Sequence, residues 1–410
     1  MINSLFIFQK NMARIVFTWE LGNGYGHISK FILVAKILSS RGHRIYCIAT
    51  ELHHLTARFL PLNIKVLQAP VWQKEKLQAT ANCYAELLLN IGYYDSRQIE
   101  GKVMAWQTLY DLIQPDLLIA DHSPTALLAA RNLPFPKATL GSGFFTPPFQ
   151  QPVPAYYPDA KLTDSQLHQF EQNVLLQIND ALHNLDMQPL DNLSDIFQCE
   201  DAFYCTFKEI DHYATREPVE YMGAQFELPN VNKATWPDHD GPKIFAYLKS
   251  DFSEIEKLLQ ALKLTEASII IHIPDIPDNL KEKYSAPHIN FYPQAIDLET
   301  VGAQANLAIC HAGHGTIASM LTKSCPLILI PTQMEQLVLA LRIKDLGAAE
   351  VVTPGDPIRN YRKIIKRLLS NPDYQKQANA FANRYADINP ERQREKIADR
   401  CEALLDTRQD

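Results

Sequence analysis

The chain has 410 residues, of which 46% are hydrophobic and 21% charged, and its formal net charge is −7. That length suggests two or three domains of ordinary size with room for large cores, and the acidic balance leaves no dominant basic surface for a general nucleic-acid binder. No apolar run approaches the roughly eighteen residues of a membrane span, and the seven cysteines, scattered and without a CxxC pair, read as reduced cytosolic thiols rather than a disulfide framework or a zinc site.

The apolar residues 5–8 are too few for a signal segment and their lysine follows them, so residues 1–11 read as a dispensable extension ahead of Met12. From there strand-like and helix-like segments alternate. Residues 14–19 are a buried-strand candidate, 28–40 carry apolar residues at helical spacing, and Arg41-Gly42-His43 turns the chain into a second strand at 44–49. Strands follow at 64–68 and 116–120, with helices around 74–90 and 96–114, and a further helix–strand unit at 127–132 and 138–140. Residues 144–158 hold prolines at a density that excludes regular structure, together with five aromatics. They read either as an ordered loop lining a cleft or as a surface connector.

Residues 225–240, with two prolines, two asparagines and little apolar periodicity, form the best domain boundary. A second alternating series then places strands at 243–248, 268–273, 289–291, 305–310, 327–330 and 350–352. The tail, 357–405, reads as helical with interruptions at Pro372 and Pro390. Such alternation predicts an α/β protein of two doubly wound, Rossmann-like parallel-sheet domains facing across a cleft.

The most informative motif is His311-Ala-Gly-His-Gly-Thr316, which lies between a strand and a helix start. Its glycines let backbone approach a ligand, and the free N–H groups of a first helical turn face an anion; His311 adds a side-chain donor to the same phosphates. Nineteen residues after Thr316 comes Glu335-Gln336, beyond the strand at 327–330. This pair reads as a grip on sugar hydroxyls or as the polar first turn of a helix. Anion donors beside a carboxylate and an amide suit a ligand with a diphosphate at one end and a sugar at the other.

With Pro293-Gln294 ahead of that motif and Cys325-Pro326 behind it, the chain resembles GT-B glycosyltransferases, in the superfamily of sterol, antibiotic and plant small-molecule glucosyltransferases. The resemblance is strong at 14–50 and 289–352 and weak from 145 to 240. It implies an N-terminal acceptor-binding domain with the catalytic base at 12–230, a nucleotide-sugar donor domain at 241–388, and a C-terminal helix at 389–410 that crosses back. His311, Gly313, Gly315 and Thr316 would hold the donor diphosphate, Phe291 and Gln294 the nucleoside, and Glu335 and Gln336 the donor sugar. Ser319 stands where many relatives carry a ribose-binding glutamate, which leaves UDP-sugar and dTDP-sugar both open as co-substrate.

Near the N-terminus, Glu20-Leu-Gly-Asn-Gly-Tyr-Gly-His27 could be misread as a dinucleotide fingerprint, but Ala49-Thr50 supply no acidic residue at the end of the second strand. The resemblance makes His27 the base that takes a proton from an acceptor hydroxyl, and Asp121 the carboxylate that orients it. Taken alone, His27 could be a plain helix-start histidine and Asp121 an N-cap. Lys30 replaces a proline common in the family, His122 reads as a bystander able to substitute as the base, and His314 reads as exposed. Phe144, Phe145 and Phe149 suggest a lipophilic or aromatic acceptor wall, or core. Neither a metal nor another cofactor is expected, since the histidines at 53–54 and the scattered aspartates lack ligand spacing.

The function these readings imply is inverting transfer of a hexose from a nucleoside diphosphate to a small-molecule hydroxyl. The partners expected are the nucleotide sugar and its acceptor, with no nucleic acid and no transmembrane segment. Two other classes share the features: a sugar-nucleotide epimerase, for which no clear set of extra acidic residues is present, and a non-catalytic sugar-nucleotide-binding protein, which would have lost the His27–Asp121 pair.

Overall fold

The computed structural model describes residues 12–22, 25–52, 55, 62–71, 81–157, 162–213, 216, 218–225, 231–353 and 360–406. The extension at 1–11 and the histidines at 53–54 lie outside them. In the first half, β1 (Arg14–Trp19), β2 (Arg44–Ala49), β3 (Lys65–Gln68), β4 (Leu117–Asp121), β5 (Lys137–Gly141) and β6 (Asp201–Tyr204) form one parallel sheet in the order β3-β2-β1-β4-β5-β6. The second half repeats that order. There β7 (Lys243–Tyr247), β8 (Ser268–His272), β9 (Ile289–Tyr292), β10 (Leu307–Cys310), β11 (Leu327–Leu329) and β12 (Ala349–Val351) pair as β12-β11-β10-β7-β8-β9. Each sheet therefore reverses its winding once, between β1 and β4 and between β7 and β10. Strand runs such as Ile-Val-Phe and Ile-Ile-Ile are apolar on both faces because helices cover both sides.

The helices of the first half are α1 (Tyr25–Ser40), α2 (Tyr84–Ile91), α3 (Ser96–Ile113), α4 (Pro124–Ala130) and α5 (Asp164–Asn184). Those of the second are α6 (Ile255–Lys263), α7 (Asp278–Tyr284), α8 (Leu298–Gly302), α9 (His314–Thr322), α10 (Met334–Asp345), α11 (Tyr361–Ser370), α12 (Pro372–Arg384) and α13 (Pro390–Asp406). The helix expected around 74–90 is described only from Tyr84, residues 72–80 lying outside the described set. Long helix α5 and strand β6 escaped the sequence reading. The helix opens on a capping box, Thr163 with Gln166, whose Gln is easily overlooked in a mostly polar segment; the strand is four residues long and only half apolar. Pro372 and Pro390 prove to be helix starts rather than interruptions, with Asn371 and Asn389 accepting the free N–H groups of the first turns.

The last helix crosses back. Ile397, Ala398 and Cys401 of α13 pack in the same cluster as Phe17, Phe31 and Ile45 of the first sheet and its helix. Polar contacts fasten it there: Arg41 pairs with Glu395, Asp399 and Glu402, and the buried His43 donates from Nε2 to Glu402 Oε1 at 2.9 Å. The other nitrogen of that ring accepts from the Ala13 N–H, which fixes the tautomer. Ile397→Ala should therefore lower the free energy of unfolding by about 2–5 kcal/mol. Hydrogen exchange should show the lost protection in α1 and β1, with the second sheet unchanged.

Candidate active site

In parallel sheets the crevice forms beyond the carboxyl ends of the strands, where winding reverses. In the first sheet Trp19 and Asp121 lie in register at the ends of β1 and β4. The chain after β1 turns through Gly22, with φ of 89°, into α1, and His27 comes on its first turn. His27 Nδ1 lies 3.1 Å from Asp121 Oδ2, the imidazole stacks beside Trp19, and both members of the pair are buried. With the Nδ1 proton committed to the carboxylate, Nε2 is the atom left with a free lone pair. A Cβ on Gly22 would lie 2.6 Å from that Nε2, and one on Gly141 would lie 3.0 Å from Asp121 Oδ1. The dyad thus occupies space that two glycines leave open.

Glu20, also buried, accepts from the N–H groups of Thr125 and Ala126 and so caps α4, tying the end of β1 to the helix after β4. His122 has φ of 44°, stacks on Phe145 with ring centroids 3.4 Å apart, and is kept neutral first by burial and then by the nearby His27.

The second sheet has a matching arrangement. Tyr247 and Cys310 are in register at the ends of β7 and β10. His311, one residue on, donates from Nδ1 to the Ile330 carbonyl at 3.0 Å and accepts the Lys249 N–H at Nε2, also at 3.0 Å. Both ring nitrogens are engaged, so the free side-chain donor expected of His311 is absent. Instead the ring braces the ends of β7, β10 and β11, and burial lowers its pKa. Ala312 adopts a left-handed φ of 59°, which aims the following backbone at the start of α9, where Gly313 is the N-cap and a Cβ would meet open space. Gly315 and the buried Thr316 complete that first turn.

His314 corrects another expectation. Its Nε2 lies 2.8 Å from Thr206 Oγ1 in the first half, and burial, aided by the charge of Lys30, pushes its pKa down to about 3. A surface histidine was expected; a neutral, inter-domain contact is found.

Between the halves lies a cavity of about 740 Å3, lined by Glu20, Gly22, His27, His122, Phe144, Phe145 and Tyr156 on one side and by Lys249, Gln333, Met334 and Glu335 on the other. The aromatic loop therefore lines the cleft through Phe144 and Phe145. Arg216 holds that loop, donating to the carbonyls of Gly143 and Thr146 while paired with the buried Asp211. Phe149 does not contribute: it is 60% exposed and lies outside the cavity, since ring contacts hold Phe144 and Phe145 inward and none is found for Phe149 among the described residues. Gln336 is buried with its amide oxygen bonded to Thr332 N–H and Oγ1, a helix-start role that keeps it from the cavity wall. Phe291, half-buried, and Gln294, exposed, sit on and beyond β9 at the far edge of the second sheet and line no part of this cavity. Lys249 and Lys30 went unassigned in the sequence. The first announces itself only as a cation after a strand, the second as a cation one helical turn from His27.

With these geometries in place, comparison with known proteins gives the class. Residues 252–391 match the glycosyltransferase family 28 C-terminal domain. A PGL/p-HBAD biosynthesis glycosyltransferase of Mycobacterium tuberculosis (strain ATCC 25177 / H37Ra) is 21% identical over 333 residues, covering 73% of this chain and 74% of the relative. Among solved structures, the calicheamicin glycosyltransferase CalG4 superposes with a TM-score of 0.69 at 19% identity, covering 97% of this chain and 99% of that one. The glycosyltransferase VinC in complex with DTDP superposes with 0.64 at 12%, covering 96% and 100%. The fold is GT-B, two Rossmann-like domains of six parallel strands each. That fold is the one shared by the glycosyltransferases this chain resembles, and its residues 252–391 are similar to the family 28 C-terminal domain. Among the described residues no cluster of three or more potential metal ligands occurs, and no helix is long and apolar enough to cross a membrane.

Two outcomes follow. Gly22→Ala should displace the His27 ring and lower turnover by roughly tenfold or more, with nucleotide affinity by calorimetry unchanged. Glu335 is 28% open to the cleft yet has protein on most sides; burial raises its pKa above 4.5, against the opposing charges of His27 and Lys30. An acid with a raised folded-state pKa holds its proton more tightly in the native protein, so stability falls as pH rises past 4.5. Glu335→Gln should therefore melt higher than wild type at pH 7, with the gap closing as pH falls towards 4.5, while turnover drops.

Proposed function

We propose that the protein transfers a sugar from a UDP- or dTDP-sugar to a hydroxyl group of a small lipophilic or aromatic acceptor, with inversion. The observation that carries this reading is the His27–Asp121 hydrogen bond placed on the wall of the cavity between the two halves, opposite Glu335. The acceptor occupies the first-half side, against Phe144, Phe145 and Tyr156. Its hydroxyl proton passes to His27 Nε2 as the oxygen attacks the anomeric carbon. The bond from that carbon to the diphosphate oxygen breaks, and the diphosphate leaves with the electron pair on the opposite face. Attack and departure on opposite faces, with no enzyme nucleophile between, invert the configuration. Asp121 holds the tautomer and stabilises the imidazolium that forms.

The donor lies against the second half. Its diphosphate meets the backbone N–H groups from Gly313 to Thr316, at the positive end of α9. His311 acts through backbone geometry, holding the ends of β7, β10 and β11 at the spacing the phosphates require. Glu335 binds donor sugar hydroxyls from the cleft, Gln336 holds the start of α10, and Phe291 with Gln294 receives the nucleoside at the edge of the sheet. No divalent ion takes part, the leaving group being neutralised by these N–H groups and the helix dipole. The divisions at 12–230 and 241–388, with 389–410 returning to the first half, and a cytoplasmic setting belong to the same reading. VinC was solved in complex with DTDP, which makes thymidine diphosphate the first nucleotide to assay, with uridine diphosphate beside it as the other one left open by the sequence.

His27→Ala should lower turnover by roughly 10²-fold or more with donor affinity nearly unchanged, and Asp121→Asn should lower it less, since the imidazole remains. Turnover is measured as nucleoside diphosphate release from UDP-glucose and dTDP-glucose across a panel of phenolic and sterol acceptors. Near-wild-type turnover of the His27 variant would refute the assignment and leave His122 as the candidate base.

A further inference from the structure

Lys30 is a buried lysine, three residues after His27 on α1, so the two side chains share a helix face. Its Nζ lies 3.7 Å from Asp121 Oδ2, the same oxygen that His27 Nδ1 reaches at 3.1 Å. The other carboxylate oxygen, Oδ1, faces Gly141, where the missing side chain leaves room for it. One oxygen therefore serves two nitrogen partners in a site largely closed to water. Other titratable groups surround this spot, with Glu51 and Lys249 also on the wall of the cavity that His27 lines. Glu20 follows β1, His122 follows β4 and Cys205 follows β6; His212 lies on the loop near 210, His314 opens α9 and Glu335 lies on α10. The charge of Lys30 is felt at Cys205, His212, His314 and Glu335, so the ammonium stands at the junction of the two halves. His212 and His314 are both neutral there, with pKa values pushed down to about 3, chiefly by burial.

We propose that Lys30 is a positioning residue of the base: its ammonium shares the Asp121 carboxylate with His27 and limits how firmly a proton is held on the imidazole. The reasoning is Coulombic. Asp121 alone would favour imidazolium, the form that cannot accept a proton from the acceptor. A cation on the same oxygen divides that attraction and repels a second positive charge beside it, which favours the neutral ring able to accept a proton. The inference rests on the reading of His27 as the base, and its test separates the two.

The ring titration of His27 can be followed in the full chain, without substrate, by nitrogen-detected NMR of labelled histidine, the signal being assigned by its loss in His27→Gln. In Lys30→Met the midpoint should move upward by about one unit, and in Lys30→Arg, which keeps the charge, it should stay near wild type. A lysine that only filled space would leave the midpoint in place, so an unmoved midpoint in a folded Lys30→Met chain overturns the proposal. Should that chain fail to fold, Lys30→Gln, which keeps a polar end without the charge, gives the same reading. The turnover of His27→Ala is scored separately. A shifted titration together with an active His27→Ala enzyme would sink the base while leaving the electrostatic coupling in place. An inactive His27→Ala enzyme with an unmoved titration would sink only the role of Lys30.

Discussion

The structure depends on a topological constraint met twice, the reversal of winding between two adjacent parallel strands. At β1 and β4 the reversal leaves the strand ends uncovered by a crossing connection, and the chain places His27 and Asp121 there. At β7 and β10 the same reversal leaves the ends occupied by Lys249 and His311, again joined by a hydrogen bond. In both sheets a histidine beyond one strand is tied to the strand across the gap. The first tie runs through a carboxylate and leaves Nε2 free. The second uses both nitrogens on backbone groups and leaves nothing free. That difference in partners separates a histidine suited to proton transfer from one suited to holding a frame.

The cleft is also an electrostatic compromise. Burial makes His122, His212 and His314 neutral and raises the pKa of Glu335, while Lys30 and Asp121 face each other across 3.7 Å. Neutral imidazoles line the junction without adding to the charge around the dyad. Aromatic rings fill the remaining wall: Phe145 packs on His122, Phe144 meets Tyr156 and His212, and Arg216 fixes their loop. A dry wall of this kind strengthens each charge that remains.

Much of this was legible in the chain because parallel strands are short apolar runs with punctuated ends. The two sheets and the His311–Thr316 turn follow from such runs; the resemblance singled out His27 and Asp121, and the rule that strand ends open on one edge let them meet. Phe144 and Phe145 were legible as a wall, whereas Phe149 carries the same side chain and faces water, since only tertiary packing decides which of three phenylalanines turns inward. Pro390 looked like a break because a proline shows that a helix cannot continue through it, not that one begins. His314 could not be read as an inter-domain contact because Thr206, its partner, sits over a hundred positions away on an undistinguished segment. Lys30 was visible only as a departure from a family pattern, and its meaning lay in a distance to Asp121.

The return of α13 has a consequence for how the protein is made. Ile397, Ala398 and Cys401 complete a cluster whose other members all come from residues before 223. On the ribosome the first sheet therefore emerges with one flank of α1 bare, and stays so while the whole second half is synthesised, roughly ten to forty seconds at ordinary elongation rates. The apolar residues awaiting α13 are exposed throughout that interval, and only the emergence of that helix closes the first core. A chain cut short before α13 would thus damage the half of the protein that was translated first.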